Sequence, residues 1–458
     1  MNNSKIPFGK AIHCTELSSG RSKTGNLEIS EYKIDLNLFS YDEHFSLYNE
    51  NPIFLQTESA KIVSLYGTLE ISSGSHNTKD ASVHHCAFSS NIAVVGDNKW
   101  TWSHRVKRCQ FSLPRIDSIF ENTKEYKKLK YLSLRSTKWI DPQIFTVSAD
   151  AFIIRYRYHI SYTAEDEFPS KMLPHFEIEF ADSVDLEQYY KISEYLCSFF
   201  SLALAYPLEP HSFKISDVSR AGWTRRVNRK NYTEDHAVFY SEWKRELPSY
   251  GLRTNQIFFI VPDAINTLKA CISTWMDRRD EWINATRLMQ ENLYYQNEFS
   301  TERLLNACRW FEQIPITDSE KIISKKHATN IGDAAAIKAI ELGYDTTIAK
   351  RVSSSLSQMR DETHKERFSR LTKLVEHKFG ANLLGDRFIQ DLEMGMRYRG
   401  IAAHSLFNFK DKEDIDAFRG IYALEILCML LTIIDLPLNA ETIANIRLDS
   451  RIQNYRVI

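Results

Sequence analysis

Glycine and proline are scarce in this chain, at 15 and 12 of 458 residues. That scarcity excludes collagen-like and linker-like polypeptides. Cysteine is equally sparse: seven residues, at positions 14, 86, 109, 197, 271, 308 and 428, form an odd set with no C-x-x-C pair. Reduced thiols are expected, not a disulfide framework. Neither sign of charge dominates, since 58 Lys and Arg face 59 Asp and Glu for a net charge of -1. Nothing global therefore draws the chain to a polyanion or an anionic membrane, and any nucleic-acid contact must be a local patch. The most apolar run, Ile421 to Ile434, contains Glu425 and is shorter than the ~20 residues that span a bilayer. The N-terminal Met-Asn-Asn-Ser-Lys-Ile-Pro-Phe lacks the apolar stretch of a secretory signal. A cytoplasmic protein without membrane contact is expected.

Several chemistries are missing as motifs. There is no G-x-x-x-x-G-K-[ST] loop, no G-x-G-x-x-G, no G-x-S-x-G elbow and no H-E-x-x-H. Phosphate-loop hydrolysis, dinucleotide redox and serine-hydrolase chemistry are thereby disfavoured, and no cofactor is expected. His84-His85-Cys86 offers soft metal ligands, but strand neighbours point to opposite faces and no second cluster completes a four-ligand set. A polar turn is the expected reading, and no metal site is assigned.

What is present is a globular composition, 43% hydrophobic, 26% charged and 12% aromatic, in a chain long enough for two to four domains at roughly 100 to 200 residues each. The first half alternates with period two. Ile154, Tyr156, Tyr158, Ile160 and Tyr162 are separated by Arg155, Arg157, His159 and Ser161, the pattern of a strand with one face buried. Shorter strand signals lie at 32–39, 61–71, 176–180, 236–240 and 256–261, and one helix is expected from Leu186 to Ala205, stopped by Pro207. Beyond Pro262-Asp263 the period becomes helical. Helices are predicted over 263–298, 301–313, 331–342, 346–359, 363–379, 386–403 and 413–434. The expected architecture is α+β and multidomain, with a β-rich domain over 1–261 and an all-α helical bundle over 262–458.

Two polar constellations compete for function. Arg220, Arg225, Arg226, Arg229 and Lys230, interleaved with Trp223 and Tyr232, put five cations into eleven residues and form a candidate RNA-binding patch. Asp235, Glu242 and Lys244 follow the D…E-x-K order of metal-dependent nucleases, a weaker alternative.

The third constellation is Arg399-Gly-Ile-Ala-Ala-His404. Four Arg–His pairs in the chain are five to seven residues apart, so position must discriminate among them. Arg370 and His377 lie opposite the apolar stripe Phe368, Leu371, Val375 and Phe379, and Arg397 has Glu393 one turn earlier. Arg399 differs. With Phe388 at zero, Leu392 falls at ~40°, Met396 at ~80° and Arg399 at ~20°, inside the apolar stripe. A guanidinium there needs a partner or a task. His404 would lie ~140° from Arg399 on an unbroken helix, so their convergence requires a bend near Gly400 or a second subunit.

These residues resemble the HEPN ribonuclease superfamily: Arg399-x4-His404 near the end of one helix, then a long apolar helix, Asp414 to Leu436, in an all-α C-terminal domain. Glu302 to Pro315, with Arg309-Trp-Phe-Glu312, is similar to the early helix of HEPN domains in phage-defence proteins of the ApeA type, which carry a β-rich domain ahead of it. Val63 to Ser73, with Tyr-Gly-Thr-Leu-Glu, suits that arrangement. Gly400 departs from the Asn, Asp or His that commonly follows the arginine. The resemblance implies metal-independent RNA endonuclease activity in abortive-infection defence, with Arg399 and His404 catalytic. It also implies an RNA substrate, tRNA among the candidates, a homodimer through the C-terminal helices, and an N-terminal domain that senses a phage-derived trigger or restrains the nuclease. A non-catalytic HEPN-like module that binds RNA or protein is the competing expectation.

Overall fold

The computed structural model describes residues 9–17, 23–30, 33–41, 52–77, 82–120, 123–133, 143–161, 171–222, 235–241, 265–296, 299–358, 361–402 and 412–457. It divides into two compact units. One comprises residues 1–197 and 208–248, the other 198–207 and 249–458. The expected boundary at 262 and the strand at 256–261 lie outside the described residues.

The first unit is built on one antiparallel sheet. Its strands are β1 (Ala11–Glu16), β2 (Thr24–Ile29), β3 (Ile34–Tyr41), β4 (Ile53–Thr57), β5 (Ile62–Tyr66), β6 (Leu69–Asn77) and β7 (Ser82–Ser89). They continue as β8 (Ile92–Gly96), β9 (Val106–Ser112), β10 (Gln143–Ser148), β11 (Phe152–Ser161), β12 (Lys171–Val184), β13 (His211–Ser216) and β14 (His236–Tyr240). Their order is β10-β11-β12-β9-β13-β14-β8-β5-β4-β1-β2-β3-β7-β6. The expected strand over 61–71 is in fact two, because Gly67 at φ 62 turns the chain where most side chains would be strained.

One face of this sheet carries an aliphatic core that includes Leu27, Leu36, Leu38, Ile53, Leu55, Val63 and Leu65, each nearly or fully sealed from solvent. Each such side chain contributes about 1.5–3 kcal/mol relative to exposure. His84-His85-Cys86 lies on β7 and is not the expected turn. Alternation buries Cys86 in the aliphatic core, while the His85 ring packs on Phe39 and bonds Asn37 Oδ1 at 3.3 Å.

Helices α1 (Asp117–Phe120) and α2 (Lys124–Ser133) belong to this unit, as do residues 186–197 of α3 (Leu186–Leu204), a helix close to expectation whose remaining residues belong to the second unit. Tyr156 stacks on Phe120 at 4.4 Å and packs with Phe176 at 4.8 Å, so the predicted inward face of β11 is an aromatic core. On the other face of β11, Arg155 and Arg157 are withdrawn from solvent. Arg157 is only 3% exposed, because it belongs to a buried charge network.

The second unit is helical: α4 (Ile265–Asp277), α5 (Arg279–Tyr294), α6 (Thr301–Gln313), α7 (Lys325–Glu341), α8 (Thr346–Gln358) and α9 (His364–Phe379) come first. Then follow α10 (Phe388–Ala402), α11 (Lys412–Thr432), α12 (Ala440–Arg447) and α13 (Ser450–Val457). The single helix expected over 263–298 is broken at Arg278, whose guanidinium lies over the Trp275 and Trp282 rings at 4.6 and 4.0 Å. Caps set other boundaries. Ser300 Oγ accepts the Arg303 amide at the start of α6, and Ile314 turns extended ahead of Pro315 at its end. Thr363 and Glu366 form a capping box on α9, which ends at Gly380 with φ 122. No described helix is long and apolar enough to cross a membrane.

Candidate functional site

Three helices of the second unit place Arg399. α6 is joined to α11 by a buried fork in which Arg303 Nε and Nη2 donate to the two Glu425 oxygens, each at 2.7 Å. Asn292 Nδ2 adds a bond to Glu425 Oε1 at 2.8 Å. α10 is joined to α11 by direct backbone approach at Gly395 and Gly420, where a Cβ on either would come within 3 Å of the other glycine. Buried Asp391 of α10 also accepts from Arg419 Nε at 3.1 Å and from Tyr455 Oη at 2.5 Å.

The result is a fork of its own. Arg399, in the last turn of α10, donates through Nη1 to Glu312 Oε1 and through Nη2 to Glu312 Oε2, the latter at 3.1 Å. Glu312 ends the apolar-striped α6, whose Leu304, Ala307, Cys308 and Phe311 are buried. The pair stands at the edge of the core, with side chains 35% and 38% exposed. A cation there is also favoured by the C-terminal end of the helix dipole. Beneath it, burial pushes the Cys308 thiol up to about 12, a shift that Glu312 reinforces and Arg399 opposes. All seven cysteines are buried free thiols.

The apolar stripe thus located an arginine that required a partner, and the partner is Glu312. Of the two alternatives for bringing Arg399 and His404 together, a break at Gly400 is not seen, because α10 runs on to Ala402. A Cβ at Gly400 would meet nothing within 4 Å, so neither packing nor backbone geometry demands a glycine there. His404 lies outside the described residues. Trp310 and Tyr398 are 3% and 7% exposed and therefore packed, not presented for base stacking. Arg370 caps the entry to α9, bonding Glu362 at 3.1 and 2.6 Å and the Asp318 carbonyl at 2.9 Å.

Of the basic patch, Arg220 is described; Arg225, Arg226, Arg229 and Lys230 lie outside the described residues. Arg220 Nη1 donates to both oxygens of Glu177, at 3.2 and 3.1 Å. Glu177 has no exposure, and it also receives Arg108 at 3.3 Å, Arg155 at 3.0 Å and Gln110 at 3.1 Å. Burial alone would raise its pKa, but the Arg108 and Arg157 charges hold it below the ordinary glutamate range. Asp235 accepts from Arg108 at 2.7 Å, and burial raises its pKa. Glu242 and Lys244 lie outside the described residues, and among the described residues no group of three His, Cys, Asp or Glu is placed to hold a metal.

Sequence reasoning missed Glu312 as the partner of Arg399 and the Gly395–Gly420 contact. Two glycines in the interiors of facing helices, each costing about 1 kcal/mol of helix propensity, were the available signal for the second.

The described residues thus form a broad antiparallel sheet followed by a helical unit. The sequence matches the family model described as ApeA N-terminal domain 1 over residues 19–275, more than half of the chain. The chain belongs to the ApeA family, and it is an ApeA-like phage-defence protein. No curated protein and no solved structure matches it.

Proposed function

We propose that the helical unit is a metal-independent RNA endonuclease of the HEPN type, acting in phage defence by abortive infection. The observation that carries this reading is the fork of Arg399 on Glu312 at the end of α10, in the turn just before the segment that holds His404. A guanidinium held half-exposed and oriented by a carboxylate is suited to grip a phosphate, since its planar donors match two phosphate oxygens. An imidazole titrates near neutral pH and serves as general base.

In the proposed reaction His404 takes the proton from a ribose 2′-OH. The 2′-oxygen attacks the adjacent phosphorus, the bond to the 5′-oxygen breaks, and that oxygen is protonated as it leaves. Arg399 stabilises the charge that builds on the phosphate in the transition state. Products carry a 2′,3′-cyclic phosphate and a 5′-OH.

A homodimer through the C-terminal helices would bring a second Arg399 and His404 to the same cleft. Arg220, Arg225, Arg226, Arg229 and Lys230 would contact RNA, with tRNA among the candidate substrates. The sheet unit would restrain the nuclease until a phage-derived trigger arrives.

The test is cleavage of total cellular RNA in EDTA by purified wild-type protein, Arg399→Ala and His404→Ala, each checked for intact folding. Cutting by the wild type alone supports the assignment. Equal cutting by His404→Ala, or cutting that EDTA abolishes, removes it. If none of the three cuts, loss of expression toxicity in His404→Ala favours a restrained enzyme, and toxicity unchanged by that substitution favours a binding module.

A further inference from the structure

Three arginines stand where the end of α6 meets the start of α9, and two of them are already committed. Arg399 forks onto Glu312, and Arg370 binds the Glu362 carboxylate and the Asp318 carbonyl. Arg367 is the third. It lies half-buried in the first turn of α9, with its guanidinium carbon over the Phe311 ring at 4.7 Å. Phe311 has no exposure and also packs on the Phe368 ring at 5.3 Å, and the next residue of α6 is Glu312.

Among the described residues the Arg367 guanidinium makes no hydrogen bond and no ion pair, and its Nε is enclosed without a partner. The charges around it act from beyond ion-pair distance. Burial lowers the Arg367 pKa and Arg370 adds to that, while Glu362, Asp318 and Glu312 oppose it. Glu362 and Glu312 are taken up by the other two arginines. A guanidinium partly withdrawn from water without a bonded counter-ion is costly unless it has a task. Stacking on an aromatic face fixes its direction in advance.

We propose that Arg367 is a second phosphate contact of the RNA site, binding a backbone phosphate of the strand whose scissile phosphate meets Arg399. The inference rests on the reading of Arg399 and His404 as an RNA-cleaving pair. Both Nη atoms of Arg399 donate to Glu312, whereas those of Arg367 are uncommitted among the described residues. The Arg367 fork can therefore meet two phosphate oxygens without first breaking an ion pair. Its role is to hold the strand in register, and the proton and bond changes stay with His404 and Arg399.

The experiment measures affinity for end-labelled total cellular RNA by filter binding over a range of salt, using the full chain with His404→Ala so that binding is read without cleavage. In that background Arg367→Met and Arg367→Gln remove the charge, Arg367→Lys keeps it, and Arg456→Met removes an exposed cation from α13. Each variant is checked for a melting curve like its parent's. The two neutral variants are expected to weaken binding about tenfold and to flatten the plot of log affinity against log salt by about 0.7–0.9, the contribution of one phosphate. Arg367→Lys is expected to keep the slope, and Arg456→Met both slope and affinity. Unchanged affinity and slope in the neutral variants, an equal loss in Arg456→Met, or no RNA binding by the parent overturns the proposal. The nuclease reading is judged separately, by wild-type cleavage and its loss in His404→Ala. Cleavage that meets that test, together with normal RNA binding by Arg367→Met, removes the Arg367 contact alone.

Discussion

Gly395 of α10 and Gly420 of α11 meet backbone to backbone. A Cβ built on Gly420 stands 2.7 Å from the Gly395 Cα, and one built on Gly395 stands 2.9 Å from the Gly420 carbonyl oxygen. This contact sets how α10 lies on α11, and therefore where its last turn holds Arg399.

Alanine at either position forces the helices apart, so Gly395→Ala and Gly420→Ala are each expected to destabilise the helical unit by about 1–3 kcal/mol. Gly400→Ala is the control. Its Cβ enters open space and the helix gains propensity, so about 0.5–1 kcal/mol of stabilisation is expected. Urea denaturation of the three variants measures the contrast, and equal effects at 395 and 400 would contradict the close approach.

Removal of the Glu312 carboxylate separates stability from activity. The ion pair is more than a third exposed, so Glu312→Ala should lower stability by no more than about 1 kcal/mol. Under the proposed nuclease mechanism Arg399 loses its orientation, and cleavage of RNA should fall by about 10²-fold. Parallel melting curves and single-turnover cleavage rates check this. A rate equal to wild type would mean that Glu312 does not position Arg399.

The Glu177 network predicts the opposite weighting. Glu177→Gln leaves buried guanidiniums of Arg108 and Arg157 without their central anion, and a loss of about 3–5 kcal/mol is expected. Arg220→Ala should cost less, because that side chain is 25% exposed and water can replace it. Thermal unfolding of both variants ranks them.

The same carboxylate gives a pH dependence with a defined sign. Its folded pKa is held below the ordinary glutamate value, so its stabilising effect is complete above about pH 4.3 and is lost as pH falls through the folded pKa. The melting temperatures of wild type and Glu177→Gln should therefore converge on acidification below that range. A gap that stays constant down to strongly acidic pH would show that the network does not depend on the Glu177 charge.

Much of the local structure was legible in advance. The helix over 301–313 and the strand over 236–240 match expectation to the residue, because cap and turn residues bound both segments. Helices α12 and α13 were passed over: they are eight residues each, too short for a period of 3.6 to stand out. The split at Arg278 left no proline or glycine signal. Arg155 and Arg157 read as a solvated face, and only the other strands of the sheet show that Glu177 lies against them.

By itself the sequence determined the two periodicities, the helix ends at Ser300, Pro315, Thr363 and Gly380, the free thiols, and an arginine at 399 that an apolar stripe could not tolerate alone. These properties act within a few residues of the chain, where sterics and capping decide them. Tertiary structure alone decided that the partner of Arg399 is Glu312, 87 residues away, that Gly395 faces Gly420, and that Glu177 draws its guanidiniums from separate strands and from the helical turn at 220–222. Such pairings depend on which surfaces pack against each other, and a charged side chain looks solvent-facing in any local pattern until a distant element covers it.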